Sequence, residues 1–323
     1  MNKEYLSVIG VGYWGKNLVR NFTELGVLHS VCDPNSDLLK QCQAEYKITK
    51  TYFDHKELLL DPSVKAVAVA TPAVLHYEIA KAALLAGKDV FVEKPLALDV
   101  SQAQELIRIA DEHKKILMVD HILQFHPAII KLKELIHKGD LGKLQYIYSN
   151  RLNIGKLRSE ENILWSFAPH DISVILSLAE EQPKNVKAFG EYYLQEKVYD
   201  TTMTMMSFSN RLRAHIFVSW LHPFKEQKLV VVGDKKMAVF NDTQEENKLI
   251  LYSHKVHWVH RVPVASKGEF EAVPLEKKEP LKEACVHFLE CVANRTRPRT
   301  DGKEALAVLK VLNQAQEELD KGD

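Results

Sequence analysis

A lysine between an acid and a proline stands where hydride chemistry could take place. Glu93-Lys94-Pro95 ends a short β-branched run, and Thr71–His76 ends an earlier run of the same kind. In open parallel sheets, ligands bind at the carboxyl ends of the strands. A Lys94 ammonium at that edge can hydrogen-bond a hydroxyl and stabilise the charge that develops on its oxygen as a hydride leaves. A surface ion pair between Glu93 and Lys94 is the alternative.

Three glycines near the start form a second group of candidate residues. Gly10, Gly12 and Gly15 directly follow the apolar run Leu6–Ile9 and directly precede a helical pattern. Glycines permit a tight turn and let backbone amides approach a pyrophosphate at the positive end of a helix. The spacing alone is a weak motif, but its place between a strand and a helix predicts dinucleotide binding. A glycine-rich turn in another α/β protein is the alternative.

An acid further on favours one dinucleotide over the other. Asp33 ends the next strand-like run, about twenty residues on, where a carboxylate can accept hydrogen bonds from both ribose hydroxyls. The same carboxylate would repel the 2′-phosphate of NADP, and Pro34, Asn35 and Ser36 offer no bridging arginine. The sequence therefore favours NAD.

The elements that must position these residues alternate between strands and helices over residues 1–122. Strand-like runs lie at Leu6–Gly10, His29–Asp33, Val64–Ala70, Asp89–Glu93 and Ile116–Asp120. Helical patterns begin at Trp14, Ser36, Val74 and Ser101. This alternation predicts a doubly wound parallel sheet, and nearly continuous apolar runs are expected of strands that helices cover on both faces. We expect residues 1–122 to form the dinucleotide-binding domain.

The pattern changes after Pro127. Strands are predicted at Leu144–Leu152, Asn185–Tyr193, Thr201–Ser207, Arg213–Trp220 and Lys228–Gly233. Helices are predicted at Ala128–Lys138, Pro169–Glu180, Pro280–Ala293 and Gly302–Glu318. Period-two alternation from Thr202 to Met206 indicates a sheet with one covered face. Residues 123–323 are thus predicted as a second α/β domain with an open, mostly antiparallel sheet.

Composition is that of an ordinary globular protein. The residues are 46% hydrophobic and 27% charged. The length of 323 residues is more than one hydrophobic core usually organises, so two domains are expected. Lys plus Arg and Asp plus Glu both number 43, which disfavours nucleic acid and anionic membranes as partners. Apolar runs too short for a bilayer and the absence of a signal peptide predict a cytoplasmic protein. Four cysteines without a C-x-x-C pair predict no disulfide and no metal site.

In order and together, these motifs resemble the glucose-fructose oxidoreductase, inositol dehydrogenase and rhizopine catabolism (Gfo/Idh/MocA) superfamily. The resemblance rests on residues 10–15, Asp33, 71–76, 93–95 and 120–127, and it extends over essentially the whole chain. It implies a Rossmann-like first domain, a second α/β domain with a large open sheet, and a nicotinamide between them. It also implies that Lys94 is catalytic. The expected cofactor contacts are Gly10, Gly12, Tyr13, Trp14, Gly15, Asp33, Thr71, Pro72, His76, Glu93, Lys94 and His121.

A histidine later in the chain is the second candidate catalytic residue. Pro169-His170-Asp171 is predicted to open a helix, with proline in the first turn, where its missing N–H costs nothing. His170 would then project toward the cleft and could accept a proton near neutral pH. In the superfamily's more common pattern an aspartate lies four residues earlier, where this chain has Ser166. Another group must therefore orient His170, and a purely structural histidine is the alternative.

Residues 9–17 and 162–171 resemble one branch of the superfamily, the UDP-N-acetylglucosaminuronate 3-dehydrogenases of bacterial surface-polysaccharide and lipopolysaccharide synthesis. Such a substrate carries a diphosphate and a carboxylate, which suit the basic stretch that includes Lys156. A solvated basic loop is the alternative. The expected substrate contacts are Lys94, Arg151, Asn153, Arg158, Trp165 and His170.

The resulting hypothesis is an NAD-dependent dehydrogenase that oxidises the C3 hydroxyl of a UDP-linked N-acetylated hexuronic acid. Lys94 and His170 would share the hydroxyl proton and stabilise the developing charge. The branch resemblance further implies NADH recycling with 2-oxoglutarate and tetramers formed through the C-terminal sheets. Two alternatives stay open: a dehydrogenase of the same fold for a free inositol or sugar, and a non-catalytic dinucleotide-sensing regulator. Ser166 counts modestly against the first, and Lys94 with His170 counts against the second.

Overall fold

The computed structural model describes residues 5–155 and 157–322, and it divides the chain into two compact units. The first unit extends to Phe125 and also includes Glu279–Leu309, while the second comprises His126–Lys278 and the chain from Lys310 onward. The boundary predicted between residues 122 and 123 lies close to the first crossing point, but the sequence did not predict the later return to the first unit. Lys156 of the predicted basic stretch lies outside the described residues.

The first unit is built on a parallel sheet, as the sequence predicted, but the sheet has six strands, and the short strand Thr51–Tyr52 was not predicted. Its strands are β1 (Leu6–Ile9), β2 (Leu28–Cys32), β3 (Thr51–Tyr52), β4 (Ala66–Val69), β5 (Asp89–Val92) and β6 (Leu117–Val119). They lie in the order β3-β2-β1-β4-β5-β6, and every pair is parallel. The order reverses between β1 and β4, and ligands bind at the carboxyl edge beside such a switch point.

Helices provide the layers that cover the strands. The described residues contain nine α-helices: α1 (Gly15–Glu24), α2 (Ser36–Tyr46), α3 (His55–Leu60), α4 (His76–Leu85), α5 (Val100–Glu112), α6 (Pro127–His137), α7 (Ile163–Ala179), α8 (Pro280–Asn294) and α9 (Gly302–Lys321). In the first unit, α2, α3 and α5 begin after Asn35, Asp54 and Asp99, whose side chains accept hydrogen bonds from first-turn amides. Within the described residues, no helix has the length and apolar content needed to cross a membrane.

Packing against β5 explains why Glu279–Leu309 belongs to the first unit. The ring of Phe91 contacts the rings of Phe22 and Phe288 edge-on, at centroid distances of 6.3 and 5.5 Å, and all three are fully buried. Arg295, just after α8, forms a bidentate ion pair with Asp89 at 2.7–3.0 Å. The segment therefore completes the core that the sheet alone leaves exposed.

The second unit contains an eight-stranded open sheet, with β14 and β15 forming a separate hairpin. Its strands and those of the hairpin are β7 (Leu144–Leu152), β8 (Asn185–Glu191), β9 (Thr201–Ser207), β10 (Arg213–Ser219), β11 (Glu226–Gly233), β12 (Met237–Asn241), β13 (Leu249–Tyr252), β14 (Lys255–Val259), β15 (Val262–Ser266) and β16 (Phe270–Ala272). The sheet order is β16-β13-β12-β11-β7-β10-β9-β8. Only β7 and β10 pair in parallel, so the mostly antiparallel sheet is confirmed.

Helix α7 packs on one face of this sheet, against β7, β9 and β10. The alternation predicted for β9 is present, since Thr202, Thr204 and Met206 are buried while Met203 and Met205 are 40% and 47% exposed. The start predicted for α7 at Pro169 is wrong. The helix begins six residues earlier, because Asn162 accepts a hydrogen bond from the amide of Trp165 and caps it there.

Candidate active site

The glycine turn after β1 has the geometry that a pyrophosphate requires. A Cβ on Gly10 (φ +88°) would lie 2.7 Å from the Ala70 carbonyl oxygen, and one on Gly15 would lie 2.0 Å from the Gly10 oxygen. A Cβ on Gly12, in contrast, would meet no atom within 4 Å. Packing in the fold therefore demands the first and third glycines, whereas Gly12 leaves the backbone open to a ligand. The described first turn of α1 contains no acid that would oppose an anion.

Asp33 is fixed at the carboxyl end of β2. One of its carboxylate oxygens accepts a hydrogen bond from the Val11 amide and the other accepts one from the Asn35 amide, both at 2.9 Å. The side chain is 8% exposed. Each oxygen keeps a second lone pair, so the held carboxylate can still accept a hydrogen bond from a ribose hydroxyl. The arrangement fits NAD as the sequence predicted.

Thr71, Pro72 and His76 lie at the carboxyl edge after β4. The His76 ring is 1% exposed, and its Nδ1 and Nε2 lie 2.7 and 2.8 Å from the carbonyl oxygens of Pro95 and Thr71. The histidine thus links the loop after β4 to the loop after β5, and its ring nitrogens face the protein. Thr71 has a buried hydroxyl oxygen with no hydrogen-bond partner among the described residues, which a bound cofactor could satisfy.

Glu93 joins the glycine turn to the end of β5. The Trp14 indole Nε1–H donates a hydrogen bond to the Glu93 carboxyl group, although 79 residues separate the two. Glu93 also meets the buried carboxyl group of Asp120, which follows β6. Burial first, and then the charge of Asp120, raise the pKa of Glu93 well above its ordinary value. Tyr13, the other aromatic residue of the glycine turn, is 75% exposed.

Lys94 and His121 lie at the same edge of the first unit's sheet. Lys94 is partly buried and directly follows Glu93, and its positive charge acts to lower the pKa of both Glu93 and Asp120. His121 is 2% exposed, and its Nδ1 lies 2.6 Å from a carboxylate oxygen of Glu304. An ammonium held beside acids can donate hydrogen bonds to a substrate oxygen.

His170 lies in the middle of α7 and not at its start, which corrects the predicted helix start. It is the eighth residue of the helix, and Ser166 lies one turn before it, on the same face. The next residue, Asp171, is buried and accepts hydrogen bonds from Arg151 Nε and Ser149 Oγ, both at 2.6 Å. This ion pair fixes the segment of α7 that carries His170.

The remaining predicted substrate contacts make hydrogen bonds within the second unit. Arg158 pairs with Glu161 at 2.9 Å, and the Trp165 indole donates to the Gln316 side chain at 3.0 Å. Asn153 donates its backbone N–H to the Ser219 carbonyl at 3.1 Å. The charges of Arg151 and Arg158 are therefore compensated inside the protein. Substrate binding by these residues stays a prediction.

The sequence pattern did not single out four residues that contact candidate residues within their own unit. They are Asp120, Asp171, Glu304 and Gln316. Asp120 carried a usable signal, since it ends the strand that follows the Glu93 strand and must lie at the same edge. Glu304 and Gln316 carried none, because their partners are 183 and 151 residues away in sequence.

Comparisons with known proteins agree with both units. Residues 6–121 match the oxidoreductase family with an NAD-binding Rossmann fold, and residues 129–239 match the GFO/IDH/MocA C-terminal domain. UDP-N-acetylglucosamine 3-dehydrogenase of Acidithiobacillus ferrooxidans is 28% identical over 94% of this chain and 93% of its own length. A solved structure of that enzyme has a TM-score of 0.86 at 26% identity and covers 98% of this chain and 97% of its own.

A second relative has a different kind of substrate. The scyllo-inositol 2-dehydrogenase (NAD(+)) of Bacillus subtilis is 26% identical over 94% of this chain and 91% of its own length. The family matches fall on the parallel sheet with the glycine turn and on the open sheet with α7. The chain therefore belongs to the GFO/IDH/MocA family and is an NAD-dependent dehydrogenase with a Rossmann domain as its first unit.

Proposed function

We propose that the protein oxidises the C3 hydroxyl of a UDP-linked N-acetylated sugar. The observation that carries the proposal is the similarity to UDP-N-acetylglucosamine 3-dehydrogenase over 94% of this chain, which includes both units. Lys94 supports it chemically, because an ammonium at the carboxyl edge of the sheet is suited to stabilising an alkoxide.

Each candidate residue has one task in this reaction. NAD, when bound, supplies the acceptor for the hydride that leaves the sugar carbon. Lys94 donates a hydrogen bond to the hydroxyl oxygen and stabilises the negative charge that develops there. His170 accepts the hydroxyl proton, so that the C–O bond becomes a carbonyl. Asp171 and Arg151 keep the helix segment of His170 in place through their 2.6 Å contact.

The oxidation state of the sugar C6 is the finer question. The sequence hypothesis is a hexuronic acid, whereas the A. ferrooxidans relative is named for the neutral N-acetylglucosamine. Arg151 and Arg158 are paired with Asp171 and Glu161, so their charges are compensated before any substrate carboxylate arrives. Those ion pairs favour the neutral sugar over the uronate.

A panel of substrates tests the proposal. Purified protein and NAD would be incubated separately with UDP-N-acetylglucosamine, its uronate, myo-inositol and scyllo-inositol, and products would be read by mass spectrometry. We expect a UDP-sugar product lighter by two hydrogens, formed together with NADH. Oxidation of an inositol with neither UDP-sugar changed would contradict the proposal.

An inositol dehydrogenase is the second candidate function. Its support is the similarity to the scyllo-inositol enzyme of B. subtilis over 94% of this chain. An inositol carries no diphosphate, so it would need no cationic contacts from the stretch around Arg151 and Arg158. The substrate panel separates the two candidates, because this one predicts NADH formation from an inositol with neither UDP-sugar changed.

Recycling and assembly are further parts of the proposal. Reoxidation of NADH by 2-oxoglutarate, a role in surface-polysaccharide synthesis, and tetramers rest on the branch resemblance. Exposed Phe189, Met203 and Met205 on β8 and β9 give tetramer formation a physical basis, because large exposed apolar patches favour association. Formation of 2-hydroxyglutarate tests the reoxidation of NADH by 2-oxoglutarate. Sedimentation of the Met205→Glu variant, which should dissociate, tests tetramer formation. A stoichiometric reaction that ends after one hydride per site would contradict recycling.

A further inference from the structure

Two carboxyl groups meet at the carboxyl edge of the first unit's sheet. Val92 of β5 lies opposite Val119 of β6 in the parallel register, and the Asp120 amide donates to the Val92 carbonyl at 2.9 Å. Glu93 and Asp120 are therefore the next residues on two neighbouring strands. Residues at equivalent positions of adjacent parallel strands point to the same side of a sheet. The backbone thus holds these two acids together.

The surroundings of the two acids supply few donors. Asp120 is 1% exposed, and within residues 5–155 and 157–322 neither of its carboxyl oxygens accepts a hydrogen bond from an N–H or hydroxyl group. Glu93 accepts one from the Trp14 indole. Contact with the Asp120 carboxyl group contributes, after burial and the charge of Asp120, to the raised pKa of Glu93. Such a contact is a hydrogen bond only when one group carries a proton, because two carboxylates repel.

We propose that Glu93 and Asp120 share one proton and act as a positioning pair for Lys94. The shared proton leaves the pair with a single negative charge, which matches the single positive charge of the adjacent ammonium. Two full charges would repel each other, and an uncharged pair would offer the ammonium no negative charge from these two acids. The role at Lys94 rests on the proposed function, whereas the shared proton is a property of the free protein.

Other groups near the pair agree with this charge state. Burial raises the pKa of Asp120 to about 6, and Lys94 and His121 oppose that rise. His121 is itself paired with Glu304. Cys285, on α8, adds no charge at neutral pH because burial and the two acids raise the pKa of its thiol.

Trp14 provides a built-in reporter for this proton. Its indole N–H donates directly to Glu93, so the signal of a 5-fluorotryptophan at position 14 should follow ionisation of the pair. The chain has four tryptophans, and loss of one fluorine signal in Trp14→Phe would assign it. We would titrate the free protein without substrate. We expect a midpoint well above that of an ordinary glutamate.

Two variants test whether Asp120 raises the titration midpoint of the Trp14 signal. Asp120→Asn should lower the Trp14 midpoint by at least about one pH unit, since an amide removes the like charge and donates to Glu93. Glu93→Gln should abolish the titration. Asp111→Asn removes an exposed carboxylate on α5 and should leave the midpoint unchanged. If Asp120→Asn does not fold, a wild-type midpoint near that of an ordinary glutamate would still overturn the shared proton.

The outcomes separate this inference from the proposed function. A wild-type midpoint near pH 4.5, or one that Asp120→Asn does not move, overturns the shared proton whatever the substrate proves to be. A positioning role also predicts that Asp120→Asn shifts the acid limb of the kcat profile and lowers kcat more than it raises KM. A uniform loss of stability with an unchanged pH profile would overturn the role at Lys94.

Discussion

At the scale of single residues, Asp33 stabilises the local fold, and we propose that it also sets the choice of cofactor. Its two oxygens hold the Val11 and Asn35 amides, which fixes the carboxylate at the end of β2 beside the glycine turn. The carboxylate can accept these two hydrogen bonds and still accept others from a ribose, because each oxygen can accept two hydrogen bonds. A rigid negative charge at this place discriminates against a 2′-phosphate.

The Asp33→Asn variant should narrow the preference for NAD. Asparagine keeps one acceptor oxygen and loses the charge, so we expect the ratio of NADPH to NADH affinity to rise on the order of tenfold or more. Fluorescence titration with both reduced cofactors measures it. Equal affinity of the wild-type protein for the two cofactors would contradict the role of the charge.

The residues with local signals were predictable from sequence. Gly10, Gly12, Asp33 and Lys94 each lie within a few residues of a strand end, and strand-turn-helix order places them at one edge. The contact between Trp14 and Glu93 was not predictable, because strand order and side-chain direction, not spacing, bring them together. Contacts formed by the tertiary fold leave no periodic signal in the chain.

At the scale of elements, α7 depends on a buried ion pair. Arg151 on β7 donates from Nε and a terminal nitrogen to Asp171, at 2.6 and 3.2 Å, and the two side chains are 13% and 5% exposed. Breaking one partner of such a pair leaves an uncompensated buried charge. The early start of α7 was not predicted, because Pro169 suits a first turn and the Asn162 cap lies seven residues before it.

The Arg151→Met variant should therefore be destabilised. We expect a loss of about 3 kcal/mol or more in the free energy of unfolding, and the double variant Arg151→Met/Asp171→Asn should recover part of it. Urea denaturation measures both. The matched control is Arg158→Met, whose more exposed pair with Glu161 should contribute less than about 1 kcal/mol. Equal losses for Arg151→Met and Arg158→Met would contradict this account.

At the scale of the whole molecule, the chain leaves the first unit and later returns to it. Alternation of strands and helices was enough to predict the parallel sheet. It could not predict that α8 packs on the first unit. The amphipathic pattern of the helix shows that one face is buried, but it does not show which element covers that face. The decisive contacts, Phe288 on Phe91 and Arg295 on Asp89, join residues about 200 positions apart.

The pH dependence of stability should carry the signature of the acid pair. The folded pKa of Asp120, about 6, lies above its ordinary value of 3.8, so the folded state retains a proton that the unfolded chain releases. The free energy of unfolding should then fall as pH rises through this window. Between pH 5 and 7.5 the fall should be at least about 1 kcal/mol larger in wild type than in Asp120→Asn.

Titrating groups away from the pair cancel in that difference, whereas the pKa of Glu93, which the variant lowers, changes it in the same direction. Asp61, for example, has a lowered pKa because Lys50, Ser63, Tyr52 and His29 hydrogen-bond its carboxylate despite its burial, and the same contacts are present in both proteins. Urea unfolding at the two pH values measures the comparison. Parallel stability curves for the wild type and the variant would contradict it.

We propose that Lys94 is the catalytic residue of a UDP-sugar dehydrogenase. The most direct test is the rate of NADH formation from UDP-N-acetylglucosamine and its uronate in wild type and Lys94→Met, with NAD affinity and melting temperature measured beside it. Wild type should oxidise at least one of the two, and the variant should be slower on the order of a hundredfold or more while NAD affinity and melting stay near wild type. A folded, NAD-binding Lys94→Met protein that turns over at the wild-type rate would contradict the account.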